Sequence, residues 1–474
     1  MLGSMARSLL KHPDLWSKPS ELRRRKSEDV DRNADKHIHT DTTIQRPLPS
    51  IKSDVPANKR DVKTLSLLLL LLTFVSAIWI SLRSEYIQNG TSQITKSRRS
   101  FFFIQMADPQ FGVINGYSDN AELAMDWTKE KELFDLALTN AARLEPKFLL
   151  LSGDMQQFYP KNEGKKNGVL FDAPSTGMDQ ASDILVSISD ILPSSIPVKF
   201  LPGNHDIDDD PNLATLEYYQ SIWGDSYYSF WQDEVFFIVL NSQFYYDDSS
   251  LTDSSIKSKQ TEWFQSQLES IQEDTKVPKN VVVLTHIAPF GGSPDEGHGW
   301  GNWKLDDRSK ILEMATSFDY WPTLWLCGHF HGNGRYYGAI KANDDNTKSS
   351  QKSIEVVISN SVTFPMEWGG VPANETFGSS QISAVMSIMD SGDVFSEYIV
   401  PDFSRISGGR SKAGLRIVEF FEDGSYRHKW FSLEEIGEVD AVDDETMIGS
   451  IENAASWNTS KNKSKMKGKS KNKK

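Results

Sequence analysis

Five short apolar runs punctuate the middle of the chain, and each stops on side chains able to hold a metal ion or move a proton. Residues 101–107 lead to Asp108-Pro109-Gln110, 148–152 to Gly153-Asp154, and 198–202 to Gly203-Asn204-His205. Residues 281–285 lead to His286, and 324–327 to Gly328-His329-Phe330-His331. Runs this short, bounded by turn residues, read as buried strands. Stretches of helical period separate them, over 121–143, near 178–192, over 255–272 and over 308–318. Such alternation predicts a sheet carrying helices on its outer face. The character changes at 227–231 and 235–240, where two apolar stretches joined by Gln232-Asp233-Glu234 predict an antiparallel hairpin. Strand-like segments return at 354–358, 415–421 and 426–431, so the expectation is an α/β fold of two packed sheets flanked by helices.

The flanks lack that pattern. Residues 1–63 are basic and without hydrophobic period, and are expected to be a disordered tail. Residues 64–82 carry no charge and contain an unbroken leucine run at 67–72, a length suited to crossing about 30 Å of hydrocarbon. They read as a transmembrane helix. A cleaved signal sequence would begin nearer the N-terminus, and a buried core helix is seldom apolar all round. Lys59, Arg60 and Lys63 precede the span and Arg83 follows it, although counting Arg46 and Lys52 against Lys96, Arg98 and Arg99 narrows the asymmetry. The positive-inside tendency then predicts a single-pass membrane protein with its N-terminus cytosolic and its body lumenal or extracellular. A linker is expected over 83–100 and the folded body over 101–436, with a Gly-, Ser- and Pro-rich insertion at 365–412. Residues 437–474 end in a lysine-rich run and are expected to form a second disordered tail.

Charge and cysteine content narrow the partners. The net charge of −14 conceals +5 in residues 1–60 and +8 in residues 461–474, which leaves −27 for the stretch between. A body so acidic repels a phosphate backbone, which argues against nucleic acid as substrate or partner. The single cysteine, Cys327, excludes an intrachain disulfide framework, so stability must come from packing, with bound metal as a possible aid.

The five run-ends make sense together. In an α/β sheet, ligands gather beyond the carboxyl ends of strands, so five strand ends can converge on one crevice. Within Asp108-Pro109-Gln110 and His329-Phe330-His331 the polar residues sit two apart and, in extended backbone, point the same way. One glycine-aspartate step or one histidine after a strand is usually a turn or a hydrogen-bonded core residue. Four of the nine histidines at such ends, beside two aspartates and an asparagine, instead predict a metal site.

In this order the blocks resemble those of the calcineurin-like metallophosphoesterase superfamily: D-x-H, G-D, G-N-H-D/E, H and G-H-x-H. The resemblance runs from about residue 101 to 436. The stretches 107–112, 223–231 and 240–245, with Gly414-Leu415-Arg416 and 431–435, are most similar to the calcineurin-like phosphoesterase domain-containing protein 1 branch. It implies an αββα four-layer sandwich, here preceded by one transmembrane helix, and two divalent metal ions, Mn, Fe, Zn or Mg. Asp108, Gln110, Asp154 and His331 would hold one ion and Asp154, Asn204, His286 and His329 the other, with Asp154 bridging. The implied activity is hydrolysis of phosphomonoesters, as a serine/threonine protein phosphatase acting on phosphorylated protein or small phosphoesters. A dimetal-bridged hydroxide would attack phosphorus and His205 would protonate the leaving group. A phosphodiesterase or nucleotide pyrophosphatase using the same core is the alternative, and a non-catalytic membrane-anchored scaffold a third reading. Two positions depart from the superfamily pattern. Gln110 stands where histidine is common, and Gln157 stands where phosphoprotein phosphatases carry the aspartate that orients the catalytic histidine. Asp206 or a backbone carbonyl is left to orient His205.

Overall fold

In the computed structural model, the described residues are 98–115, 125–160, 164–166, 169–171, 173–246, 254–340, 352–365, 376–377, 413–437 and 446–452. The expected transmembrane helix and both flanking segments up to residue 97 lie outside them, as does most of the 365–412 insertion. Among the described residues no helix is long and apolar enough to cross a membrane.

The strands are β1 (Arg99–Met106), β2 (Leu149–Ser152), β3 (Gly164–Lys166), β4 (Val169–Phe171), β5 (Val198–Leu201), β6 (Tyr228–Gln232), β7 (Val235–Val239), β8 (Asn280–Leu284), β9 (Pro322–Cys327), β10 (Asn333–Ile340), β11 (Lys352–Ile358), β12 (Thr376–Phe377), β13 (Gly414–Phe421) and β14 (Tyr426–Ser432). The helices are α1 (Thr128–Leu144), α2 (Ala173–Ile191), α3 (Asn204–Ile207), α4 (Leu213–Trp223), α5 (Gln243–Tyr246), α6 (Ser254–Glu273), α7 (Leu305–Ser317) and α8 (Leu433–Gly437). One sheet runs β14-β13-β1-β2-β5, a second runs β12-β10-β11-β9-β8-β7-β6, and β3 with β4 forms a separate hairpin. β1, β2 and β5 are parallel, as are β7, β8, β9 and β11. The β6–β7 pair is the expected antiparallel hairpin.

Side-chain alternation explains why the central strands are apolar throughout. Along β1, Phe101 and Phe103 face the second sheet, whereas Phe102, Ile104 and Met106 face α1 and α2. Phe148 and Leu150 face inward against Leu149 and Leu151 outward, and Val282 and Leu284 oppose Val281 and Val283 in the same way. A strand covered on both faces has no solvated side, so its sequence shows no polar alternation. Between the sheets Phe103 stacks on Phe148 at 4.5 Å and meets Phe237 edge-on at 5.6 Å. The outer helices complete the layers. α1 presents Leu133, Phe134, Ala137, Leu138 and Ala141, at helical spacing, to the first sheet. α6 and α7 present Phe264, Leu268, Ile311, Leu312 and Ala315 to the second.

Several elements differ from expectation, α4, β10 and a helix after residue 436 among them. α4 is closed at its start by Asn212, whose side chain accepts from the backbone of Ala214 and Thr215. β10 is glycine-interrupted and polar, and its strand conformation comes from antiparallel pairing with β11. A short helix at 447–452 lies beyond residue 436, where the body was expected to end. It buries Met447, Ile448 and Ile451 in the core under the first sheet, so the folded body continues at least that far.

Candidate metal centre

The carboxyl ends of β1, β2, β5, β8 and β9 meet where the two sheets come together. β1 delivers Asp108 and Gln110, β2 Asp154, β5 Asn204 and His205, β8 His286, and β9 His329 and His331. The backbone there is unusual. Asp108, Gln110, Asp154, His329 and His331 have φ of 50°, 34°, 51°, 68° and 49°. A left-handed conformation costs a non-glycine residue about 1–3 kcal/mol and persists only where the surroundings over-determine it. The loops after β1 and β2 do so by pairing: Gln110 N–H donates to Asp154 O at 2.8 Å, Phe111 N–H to Met155 O, and Gln157 N–H to Phe111 O. Gly203 is required by close approach, because a Cβ there would overlap the Asp154 carboxylate and backbone nitrogen.

Two buried donor sets share one carboxylate. Asp154, His286 and His329 form the first and Asp108, Asp154 and His331 the second, each with ligand atoms within 4.8 Å of one another. His286 Nε2 lies 3.2 Å from Asp154 Oδ2, and His331 Nε2 lies 3.5 Å from Asp108 Oδ1. Asp108 is held by the His329 backbone N–H, 2.9 Å from Oδ1 and 3.1 Å from Oδ2. Asn204 Oδ1 sits 3.2 Å from His286 Nε2 and 3.1 Å from His329 Nδ1.

Backbone carbonyls fix the imidazoles. A carbonyl only accepts, so a ring nitrogen facing one carries its proton and the other nitrogen turns to the site. His286 Nδ1 faces Ser152 O at 2.9 Å, His329 Nε2 faces Trp300 O at 3.1 Å, and His331 Nδ1 faces Phe364 O at 2.7 Å. His286 Nε2, His329 Nδ1 and Asn204 Oδ1 therefore converge as three acceptors 3.1–3.2 Å apart. A cation, or a proton in its place, must lie among them. Burial alone would raise the Asp154 pKa, but His286, His205 and His329 hold its carboxyl well below the usual carboxylate range. Burial would lower His286, yet the Asp154 charge lifts it to about 9. His329 is pushed down to about 3 by burial and by His286. Burial, then the charge of Asp154, pushes Asp206 up to about 8.

Gln110 carries a buried acceptor that the protein leaves unused. Its Nε2 donates to Gln157 Oε1 at 3.0 Å, and its buried Oε1 has no hydrogen-bond partner among the described residues. An unsatisfied buried acceptor costs about 1–3 kcal/mol, which coordination to a cation would relieve. Carboxylate, amide and imidazole donors arranged around a shared aspartate fit two divalent ions.

His205 lies at the edge of the centre. Its backbone N–H donates to Asp154 Oδ1 at 3.0 Å, and its Nδ1 faces Gln157 O at 2.7 Å. The orienter is thus the carbonyl of Gln157. The Asp206 carboxylate instead accepts from Gly203 N–H and Met155 N–H, tying β5 to β2. Several neighbours carried no signal in the sequence. The Tyr159 ring lies 4.5 Å from the His205 ring, and its hydroxyl accepts from Asn204 Nδ2 and donates to Asp209. Trp300 covers the His329 ring at 4.2 Å.

Comparison with known proteins agrees with this geometry. The calcineurin-like phosphoesterase pattern matches residues 104–333, a stretch containing every candidate ligand. The serine/threonine-protein phosphatase CPPED1 of Rattus norvegicus is 32% identical over 237 residues, which is 49% of this chain and 70% of that protein. The Homo sapiens protein of the same name is 31% identical over 240 residues, again 49% and 70%. A solved dimetal phosphatase from Danio rerio is similar with a TM-score of 0.41 at 12% identity, over 71% of this chain and 99% of that one, too loose a superposition to bear on function. The aligned pattern, the relatives that share it and the paired donor sets lead to one assignment: the chain belongs to the calcineurin-like phosphoesterase family and is a phosphoric ester hydrolase built around two metal ions.

Proposed function

We propose that the chain hydrolyses phosphomonoesters and, within that class, acts as a serine/threonine protein phosphatase. The observation that carries the reading is the pair of donor sets sharing Asp154, with His205 fixed at their edge. The relatives named serine/threonine-protein phosphatase support the finer substrate class. Asp108, Gln110, Asp154 and His331 would hold one cation, and Asp154, Asn204, His286 and His329 the other. Such a pair would supply Lewis-acid polarisation of a phosphoryl oxygen and would lower the pKa of water toward about 7. The protein's own work is positioning and proton transfer. The Asp108 carboxylate is held by the His329 amide, and three carbonyls set the ring orientations. His205, its Nδ1 proton held on Gln157 O, has Nε2 left to carry the proton for the departing serine or threonine alkoxide.

The test is hydrolysis of phosphoserine and phosphothreonine peptides, small phosphomonoesters and phosphodiesters by the full chain, after metal removal and after restoration. Metal-dependent turnover of the monoesters is expected. Turnover of diesters alone would move the assignment to a phosphodiesterase, and no metal-dependent turnover would overturn it. The apolar run 64–82 and its flanking charges support a single-pass membrane placement with the catalytic body lumenal or extracellular. In sealed vesicles with the cytosolic face outward, added protease should then spare the body and remove the N-terminal tail.

A further inference from the structure

Behind the metal centre a chain of buried polar groups crosses from one sheet to the other. On β1 the face turned to the second sheet reads Phe101, Phe103, Gln105, so a polar residue replaces the apolar one just where the strand nears the site. Its register partner on β13 is Arg416, on the same inter-sheet face as Val418 and Phe420. Gln105 is fully buried and Arg416 is 5% exposed. Arg416 Nε donates to Ser359 Oγ at 2.6 Å, and Ser359 Oγ donates to Gln105 Oε1 at 2.7 Å. Gln105 Nε2 then donates to Ser152 Oγ and to Cys327 O, each at 3.0 Å. A guanidinium has no acceptor, so the proton order along the chain runs one way from Arg416. The guanidinium is itself anchored, with Nη2 donating to Asn333 Oδ1 at 2.8 Å and Nη1 3.0 Å from His428 Nδ1.

Both end points belong to the supports of one donor set. Ser152 ends β2, and its carbonyl holds the His286 Nδ1 proton. Cys327 ends β9, one residue before the glycine that leads into His329. Its carbonyl also accepts from Ser359 N–H at 2.9 Å. The amide of Gln105 therefore ties the strand end carrying Asp154 in the first sheet to the strand end carrying His329 in the second. We propose that Gln105, set by Arg416 through Ser359, is a positioning residue that fixes the separation of the Asp154, His286 and His329 ligands and thereby the affinity of that set for metal. The proposal rests on the metal-site reading above. Partners that orient ligands typically change metal affinity by about 10–100-fold when removed.

The experiment is calorimetric titration of the full chain with manganese, alongside thermal unfolding. Gln105→Leu removes both donations, Gln105→Glu keeps the size and the Ser359 bond but cannot donate to Cys327 O, and Ser359→Ala breaks the middle of the chain with the smallest change of volume. Phe237→Leu, in the apolar part of the same inter-sheet layer, is the control for a general loss of stability. Manganese affinity is expected to fall about tenfold or more in the three relay variants, while Phe237→Leu stays within about twofold of wild type. Should Gln105→Leu fail to fold, Ser359→Ala decides the matter. Wild-type affinity in the relay variants, or an equal loss in Phe237→Leu, would overturn the positioning role alone. A wild-type chain that binds none of manganese, iron, zinc and magnesium would overturn the metal-site assignment and this role with it.

Discussion

Glu130 gives the most quantitative prediction. It lies in the first turn of α1, fully buried, and its Oε1 accepts from Ile114 N–H at 2.8 Å and Gly112 N–H at 3.2 Å. It thus pins the loop that follows Gln110. Burial pushes its pKa from an ordinary 4.5 up to about 7, the amide hydrogen bonds offsetting only part of the cost. Between those values the folded state holds more protons than the unfolded chain, so stability falls as pH rises from about 4.5 to about 7 and is level above that. The gap corresponds to about 3 kcal/mol at pH 8, as an order of magnitude. Glu130→Gln removes the charge yet retains an oxygen for both amides, and its Nε2 would stand where Oε2 has no hydrogen-bond partner among the described residues. Thermal midpoints of wild type and variant, measured from pH 4.5 to 8, should coincide at the acid end. The variant should then rise above wild type by several degrees at pH 8. Parallel curves, or a variant less stable at pH 8, would refute the assignment of the buried charge.

Three further outcomes concern the centre itself. Gly203→Ala drives a methyl group into the Asp154 carboxylate and should lower metal affinity at least about tenfold, read by metal titration; unchanged affinity would show that the strand ends have slack. Gln110→His replaces an amide oxygen by imidazole, with Gln157 Oε1 still present to accept a ring N–H, and should tighten binding with a shift of preference from manganese toward zinc in competition titrations. His205→Ala should lower kcat about 10²–10⁴-fold on alkyl phosphates, and far less on p-nitrophenyl phosphate, whose leaving group needs no proton; equal losses on both would remove His205 from the acid role.

The site was legible in the sequence to the extent that its donors are side chains at strand ends. Asp108, Asp154, Asn204, His286, His329 and His331 each follow an apolar run, and a strand buried on both faces announces itself by that run. The structure brings those six within hydrogen-bond or ion-pair reach of one another and joins Gln110 to them through the Asp154 backbone. β10 was not legible, because its strand conformation comes from a partner rather than from its own residues.

What the sequence determined by itself is the inventory: which side chains can take a metal, and that each stands just past a strand. What tertiary structure alone decided is how they are aimed. The carbonyls of Ser152, Trp300, Phe364 and Gln157 orient the four histidines, and Gln105 reads as one polar residue in an apolar strand until Ser359 and Arg416 are seen beside it. A backbone carbonyl is the same group at every position of the chain. Its role therefore depends on where the fold carries it, and no residue type encodes that in advance.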